Sequence, residues 1–154
     1  MSREAGRNLV LESARQALKE SGHSDAVIEH YVNPRNMGAL DPFDGYGQIT
    51  GECGDSMWMW LRVRNGRISD IRFLSDICVG AVAAGSVATE MAWDKPVREA
   101  LTITHHDVLT ELGGLPVESV HCATLAVNTL KMALRDYLAF AREPWKKAYK
   151  RSSN

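Results

Sequence analysis

The sequence has no excess of charge of either sign and no long apolar run. Its 154 residues include 18 Lys and Arg against 19 Asp and Glu, a formal net charge of −1. Such a chain has no basic field to attract nucleic acid or an anionic membrane. No apolar run approaches the roughly 20 residues of a membrane span, and residues 1–7 lack the apolar core of a signal peptide. We therefore predict a cytoplasmic protein with no nucleic-acid partner and no membrane partner.

Cysteine is also scarce, with only Cys53, Cys78 and Cys122. An odd number of widely separated cysteines argues against a disulfide framework. In a reducing compartment they stay free thiols, and a free cysteine is often simply a small apolar residue of the core. The neighbouring residues must decide between that role and a chemical one.

The first part of the chain is predicted to be helical. Apolar residues recur at helical spacing over residues 3–20. A second helix is predicted to begin after Ser24 and to end at Asn33-Pro34, because proline disfavours helical geometry in the residue before it. Residues 35–47 are rich in Gly, Pro, Asn and Asp and predict a loop.

A β-hairpin is predicted next. Apolar residues alternate from Met57 to Val63, which is the pattern of a strand with one buried face. Asn65-Gly66 suits a type I′ turn, which needs positive φ at both central residues, and a second apolar strand follows it. Residues 46–51 predict a third antiparallel strand, with weaker support because of their glycines.

The second half of the chain is predicted to be helical. Small residues after Cys78 form an apolar helical stripe up to Trp93, and two further helices are predicted over residues 107–112 and 123–144. Strands that precede helices predict an α+β fold, in which helices pack on a small three-stranded antiparallel sheet. The 45% of hydrophobic residues suffices for one core, so a single domain is predicted.

All three cysteines fall at the ends of predicted elements. Cys53 lies in the turn before the first hairpin strand, Cys78 at a helix start and Cys122 just before the last helix. Free N–H groups and the dipole of a helix N-terminus favour the thiolate, which is the nucleophilic and metal-binding form. Asp55 and His121 lie beside these cysteines. Four of these five donors suffice for a tetrahedral site of zinc or of cluster iron, and the spacing does not separate the two.

Four segments of the chain resemble a known family. They are HYVNPRNMGAL (residues 30–40), GECGDSM (51–57), RFLSDICVGAVAAGSVATEM (72–91) and VHCATLAVNTLKMALRDY (120–137). In this order and with this spacing, the sequence resembles the U-type iron-sulfur cluster assembly scaffolds, which comprise IscU and the N-terminal domain of NifU. The likeness extends over residues 27–137, which is most of the chain.

The resemblance implies an assembly scaffold and not an enzyme. Such a scaffold takes persulfide sulfur from a cysteine desulfurase of the IscS or NifS type, binds iron, assembles a [2Fe-2S] cluster and passes it to apo acceptor proteins. By position, Cys53, Cys78 and Cys122 match the family's cluster cysteines, His121 matches its ligand histidine, and Asp55 matches an aspartate linked to cluster lability. Cys122 is the expected persulfide acceptor. The resemblance leaves open whether a cluster lies within one chain or bridges a homodimer.

A mixed ligand set has a physical rationale, because a scaffold must hold its cluster strongly enough to build it and weakly enough to lose it. A carboxylate or imidazole binds iron less durably than a thiolate does, and its affinity responds to protons. Asp55 or His121 in the fourth position meets this need, and which of the two is the resting ligand is left open. Zinc is an expected occupant of the apo form.

The chain departs from the family pattern in the segment before His121. Many IscU proteins carry Leu-Pro-Pro-Val-Lys there, a stretch read by an Hsp70-type chaperone. Residues 115–119 keep only Leu115-Pro116 of that stretch, which argues against this partnership. Within a single scaffold domain of residues 1–154, we predict an extra N-terminal helix in residues 1–24 and a basic tail in residues 144–154.

One alternative is a permanent zinc site built from the same residues. The ligand set is equally tetrahedral. Such a protein would have a structural or sulfur-acceptor role and would transfer no cluster.

Overall fold

The structure, a computed structural model, describes residues 2–142. Its elements, in chain order, are α1 (Arg3–Glu20), α2 (Asp25–Val32), β1 (Gly45–Thr50), β2 (Ser56–Arg64), β3 (Arg67–Ser75), α3 (Val79–Ala92), α4 (Val97–Ala100), α5 (His105–Glu111), the 3₁₀ helix η1 (Val117–Ser119) and α6 (His121–Arg142). The three strands form one antiparallel sheet in the order β1-β2-β3. The predicted α+β class with its three-stranded sheet is confirmed.

The two N-terminal helices begin where the sequence predicts. The Ser24 hydroxyl accepts a hydrogen bond from the backbone N–H of Val27, which caps α2, and α2 ends at Val32 before Asn33-Pro34. A capped helix start satisfies N–H groups that have no partner within the helix. α1 packs on α2, and Arg15 in α1 forms a 2.9 Å ion pair with Glu29 in α2.

The predicted hairpin turn is confirmed at Asn65 and Gly66. Their φ angles are 54° and 76°, the positive values that a type I′ turn requires. A register shift between Arg62 and Val63 interrupts the pairing of β2 with β3. Val63, which lies at this shift, is only partly buried, although the alternation places it with the core residues of β2.

The third strand, predicted over residues 46–51, is confirmed as β1, which begins and ends one residue earlier, and the predicted loop over residues 35–47 is correspondingly shorter. The packing of α6 on β1 explains why this strand contains glycine. A Cβ atom on Gly47 would lie 2.7 Å from the carbonyl oxygen of Thr129 and 2.8 Å from the backbone nitrogen of Ala133, both in α6. Helix α6 thus packs directly on the strand backbone, which only glycine permits at this position.

The core lies between one face of the sheet and helices α3 and α6. The buried residues of this sheet face are fully inaccessible and include Met57, Met59, Leu61, Ile71 and Phe73. Helix α3 is buried almost throughout because its small side chains allow close packing on β3 and α6. The opposite sheet face carries Trp58 and Trp60, which are partly exposed.

A buried histidine connects α2 to α3. His30 is 7% exposed, and its Nδ1 lies 2.7 Å from the hydroxyl oxygen of Ser86. The same oxygen accepts a hydrogen bond from the backbone N–H of Arg35. Burial, and secondarily the charge of Arg35, lower the pKa of His30 below its ordinary value.

Two unpredicted helices and shifted helix starts distinguish the second half from the sequence prediction. Helices α4 and η1 were not predicted, since each has fewer than five residues and shows no helical period. Helix α6 begins at His121 and not at residue 123, which places Cys122 inside its first turn. The predicted basic tail, residues 144–154, lies outside the described residues. Over residues 2–142, the helices are too short or too polar for a membrane crossing.

Candidate metal and sulfur site

Two loops that carry predicted ligands meet at one end of the sheet. Thr50 pairs with Ser56 across the β1–β2 turn, and the backbone N–H of Ser56 donates to the Asp76 carboxylate at 2.8 Å. Asp76 directly follows β3 in the chain. This contact holds the turn that contains Cys53 and Asp55 beside the segment that leads to α3.

The N-termini of α3 and α6 meet at the same end. Cys78 is the N-cap residue of α3 but makes no side-chain capping bond, so its sulfur is not committed to the helix. Cys122 lies in the first turn of α6. The two helices approach closely at Gly80, where a Cβ atom would lie 3.1 Å from the Cys122 sulfur. The packing of α3 on α6 therefore brings the two thiols together.

Three of the five predicted ligands form one group. Asp55, Cys78 and Cys122 each offer a donor atom, and these atoms all lie within 4.8 Å of one another. In a tetrahedral site with metal–sulfur bonds of about 2.3 Å, neighbouring donors are about 3.8 Å apart. A closure of about 1 Å is therefore enough for the three donors to share a metal.

His121 stands beside this group as a fourth donor. Its Nε2 lies 3.9 Å from Asp55 Oδ2 and 3.7 Å from the Cys122 sulfur. The set of two thiols, one carboxylate and one imidazole suits zinc or iron, since both accept sulfur together with nitrogen or oxygen ligands.

Cys53 is exposed and lies outside the group. It is on the same turn as Asp55, two residues away, and the turn is closed by a 2.8 Å hydrogen bond from the Gly51 N–H to the Asp55 carbonyl oxygen. The structure thus brings two of the three predicted sulfur ligands together. The assignment of Cys53 as a ligand stays a prediction.

The predicted place of Cys122, just before the last helix, is wrong. Cys122 is fully buried, because it belongs to α6 and not to a preceding loop. Burial first, and the neighbouring Cys78 second, raise the pKa of the Cys122 thiol to about 12. The preference for a thiolate at a helix N-terminus is therefore outweighed by desolvation at this position.

Two residues that shape the site were not predicted from the sequence. Asp76 positions the turn through its bond to the Ser56 backbone, and Gly80 leaves room for the sulfur of Cys122. A glycine inside a predicted helix, two residues after a candidate ligand, was the available signal for Gly80, because it indicates close packing. The sequence held no comparable signal for Asp76.

Fold and site together define a class of protein. It is a small α+β domain that offers thiol, carboxylate and imidazole donors to a soft metal where two helix N-termini meet the end of a sheet. Residues 22–143 match the NifU-like N terminal domain family, so the chain belongs to that family. α1 precedes the matched residues.

Known relatives agree with this assignment. The chain is 44% identical over 116 residues to "Iron-sulfur cluster assembly scaffold protein IscU 1" of Archaeoglobus fulgidus, which covers 75% of this chain and 76% of the relative. It is 41% identical over 119 residues to "Iron-sulfur cluster assembly scaffold protein IscU" of Aquifex aeolicus, with the same two shares. The predicted resemblance to the IscU and NifU scaffolds is confirmed.

A solved structure shows the same fold. The N-terminal part of a nitrogen-fixing NifU-like protein from Brucella abortus superposes with a TM-score of 0.64. The match covers 75% of this chain and 94% of that chain, at 14% sequence identity. At this identity the likeness supports the fold alone.

Proposed function

We propose that this chain is a scaffold on which an iron-sulfur cluster is assembled and from which the cluster is handed to other proteins. The observation that carries the proposal is the group of Asp55, Cys78 and Cys122, whose donor atoms lie within 4.8 Å, with His121 beside them. The names of the relatives support the same function. The substrates are iron and sulfur, and the product is a [2Fe-2S] cluster.

The composition of the site suits release as well as assembly. Two thiols give strong bonds to iron, whereas the Asp55 carboxylate and the His121 imidazole give bonds that are weaker and that protons compete for. Asp55 is the proposed source of lability, because it offers a carboxylate in place of a thiolate and lies in the same turn as the exposed Cys53. A permanent structural site would gain nothing from such a ligand.

The full proposed ligand set adds Cys53 to Cys78, Cys122 and one of His121 or Asp55. Cys53 has to approach the group by movement of the β1–β2 turn. Gly54, which follows it, has φ +87° and open space around it, so the turn is not held by side-chain packing at that point. The role of Cys122 as persulfide acceptor stays a prediction from the resemblance, and its complete burial counts against it.

The proposed partners follow from the chemistry of a scaffold. A cysteine desulfurase supplies the sulfur, and apo iron-sulfur proteins receive the cluster. Recognition by an Hsp70-type chaperone is not proposed, because the segment that would carry it has lost its second proline and its lysine. A reducing compartment such as the cytoplasm is proposed for the three free thiols.

Anaerobic reconstitution tests the proposal. The purified chain is incubated with ferrous iron, cysteine, a desulfurase and dithiothreitol, which reduces persulfide sulfur to sulfide, and visible charge-transfer absorption should appear. Addition of an apo-ferredoxin should move that absorption to the acceptor. Cys78→Ser should abolish formation, whereas Met132→Lys, a change at an exposed position in the middle of α6, should leave it unaffected.

The same experiment distinguishes a cluster scaffold from a protein with a permanent zinc site. A permanent zinc protein would retain zinc through the reconstitution, form little chromophore and transfer no cluster. Zinc in a preparation made without iron would not decide the matter, because an apo scaffold with these donors also binds it.

A further inference from the structure

We propose that Asp76 is a positioning residue of the metal site, which holds the Asp55 carboxylate in place through the backbone of Ser56. The inference rests on the proposed function, because it takes Asp55 as a metal ligand. It adds a residue that sets the metal affinity of the site without touching the metal.

The end of the β2–β3 ladder is the first argument. The backbone N–H of Asp76 donates to the carbonyl oxygen of Ser56 at 3.1 Å, which extends the pairing of the two strands by one residue. The return bond, from the Ser56 N–H, goes at 2.8 Å to the Asp76 carboxylate and not to its backbone carbonyl. The side chain of Asp76 therefore replaces a backbone acceptor at the last position of the ladder.

The backbone carbonyl of Asp76 holds the other ligand-bearing segment. It accepts a 2.8 Å hydrogen bond from the N–H of Cys78, a bond between residues i and i+2 that directs the chain from β3 into α3. Asp76 thus contacts both segments, one through its carboxylate and one through its carbonyl oxygen. It fixes the turn that carries Asp55 relative to the N-cap of α3, where Cys78 lies.

A single peptide group connects Asp76 to the metal ligand Asp55. This group joins Asp55 to Ser56, and its N–H is the one that donates to the Asp76 carboxylate. Its carbonyl oxygen accepts a 2.8 Å hydrogen bond from the N–H of Gly51. Because both ends of the peptide group are bonded, the backbone of Asp55 keeps one orientation toward the metal-binding group. Loss of the Asp76 bond would free that backbone, and ordering it around a metal would then cost conformational entropy.

The exposure of Asp76 sets the size of the expected effect. The side chain is exposed, so its truncation leaves no cavity and the variant should fold. A residue that orients a metal ligand typically contributes about 10–100-fold to metal affinity. Water competes for an exposed hydrogen bond, which favours the lower end of that range.

Cobalt(II) binding to variants of Asp76 tests the inference. The equilibrium affinity of the full-length chain is measured at neutral pH by competition with a chelator, with thiolate-to-cobalt absorption as the signal. Asp76→Ala should bind cobalt about 10-fold more weakly than the wild type. Asp76→Asn loses the same charge but keeps an oxygen that accepts the Ser56 N–H, so most of the affinity should be recovered.

Three controls separate positioning from charge and from overall stability. Glu52→Ala removes an exposed acidic side chain of the same turn that makes no hydrogen bond within residues 2–142, and it should bind cobalt nearly as the wild type does. In an Asp55→Ala background, Asp76→Ala and Asp76→Asn should bind cobalt equally, because no carboxylate remains to be positioned. In the metal-free chain, hydrogen exchange at the Ser56 amide should be faster in Asp76→Ala than in Asp76→Asn or the wild type.

Equal cobalt affinities of Asp76→Ala and Asp76→Asn in the otherwise wild-type chain would overturn the inference. An affinity ratio that persists in the Asp55→Ala background would also overturn it, since Asp76 would then act without Asp55. If the wild type binds cobalt and forms a cluster while either result is found, only this inference fails. A wild-type chain that neither binds cobalt through its thiols nor forms a cluster overturns the proposed function as well.

Discussion

Metal binding should release a proton from Cys122 up to unusually high pH. The pKa of its thiol is about 12 because the side chain is buried beside Cys78. At pH 7 the cost of forming the thiolate is then about 7 kcal/mol, worked from roughly 1.4 kcal/mol for each pH unit below the pKa. A bound cation must offset this cost, and the displaced proton must appear in solution.

This pKa predicts a specific slope for a plot of log K of metal binding against pH. For a thiol with this pKa, the contribution of Cys122 to log K of metal binding should rise by about one for each pH unit, without levelling off, from pH 7 to beyond pH 10. An ordinary cysteine, with a pKa near 8.5, would stop contributing above about pH 9. The difference in slope between the wild type and Cys122→Ser isolates this residue from the other donors.

Cobalt(II) binding provides the assay. Thiolate-to-cobalt absorption is titrated in competition with a chelator at several pH values, and proton release is followed with an indicator in weak buffer. A slope difference between wild type and Cys122→Ser that vanishes by pH 9 would refute the reasoning, since it would mean that Cys122 ionises like an exposed thiol.

Three further predictions test the site and the packing that supports it. Asp55→Ala should still assemble a cluster and lose it more slowly to a chelator, because a proton-sensitive ligand is gone; faster loss would contradict the role given to Asp55. Gly47→Ala should destabilise the chain by about 1–3 kcal/mol in urea titrations, since the new methyl group would meet the α6 backbone at Thr129. Its control, Gly6→Ala, meets no atom within 4 Å and should be neutral or stabilising by up to about 1 kcal/mol. Stability should fall as pH drops below about 6.5, because the unfolded chain then takes up a proton that folded His30 resists; His30→Gln should remove this part of the pH dependence.

The features predicted correctly from the sequence are those that depend on neighbouring residues. Ser24 and Pro34 bound α2 through a local cap and a local steric conflict, and Asn65-Gly66 forms its turn through its own backbone preferences. The family resemblance rests on matching segments, and Asp55 and His121 were found from their places next to Cys53 and Cys122 in the sequence.

The features that were mispredicted depend on contacts between distant segments. Gly45 was placed in the loop and Gly47 weakened the strand prediction, and only the close approach of α6 explains why both glycines lie in a strand. The burial of Cys122 likewise depends on how η1 and α3 pack around the first turn of α6, which helical periodicity does not reveal. For the same reason, spacing alone did not separate Cys53 from the other two cysteines.

X-ray absorption at the iron edge of the reconstituted chain tests the central claim most directly. If Cys78 and Cys122 hold an assembled cluster, the wild-type spectrum should show sulfur ligands together with one iron–iron distance. In Cys78→Ser and Cys122→Ser, the iron–iron distance should disappear and any iron that still binds should have less sulfur in its shell. Iron surrounded only by oxygen and nitrogen, or a sulfur shell unchanged by both substitutions, would contradict the claim that this pocket is where the cluster is built.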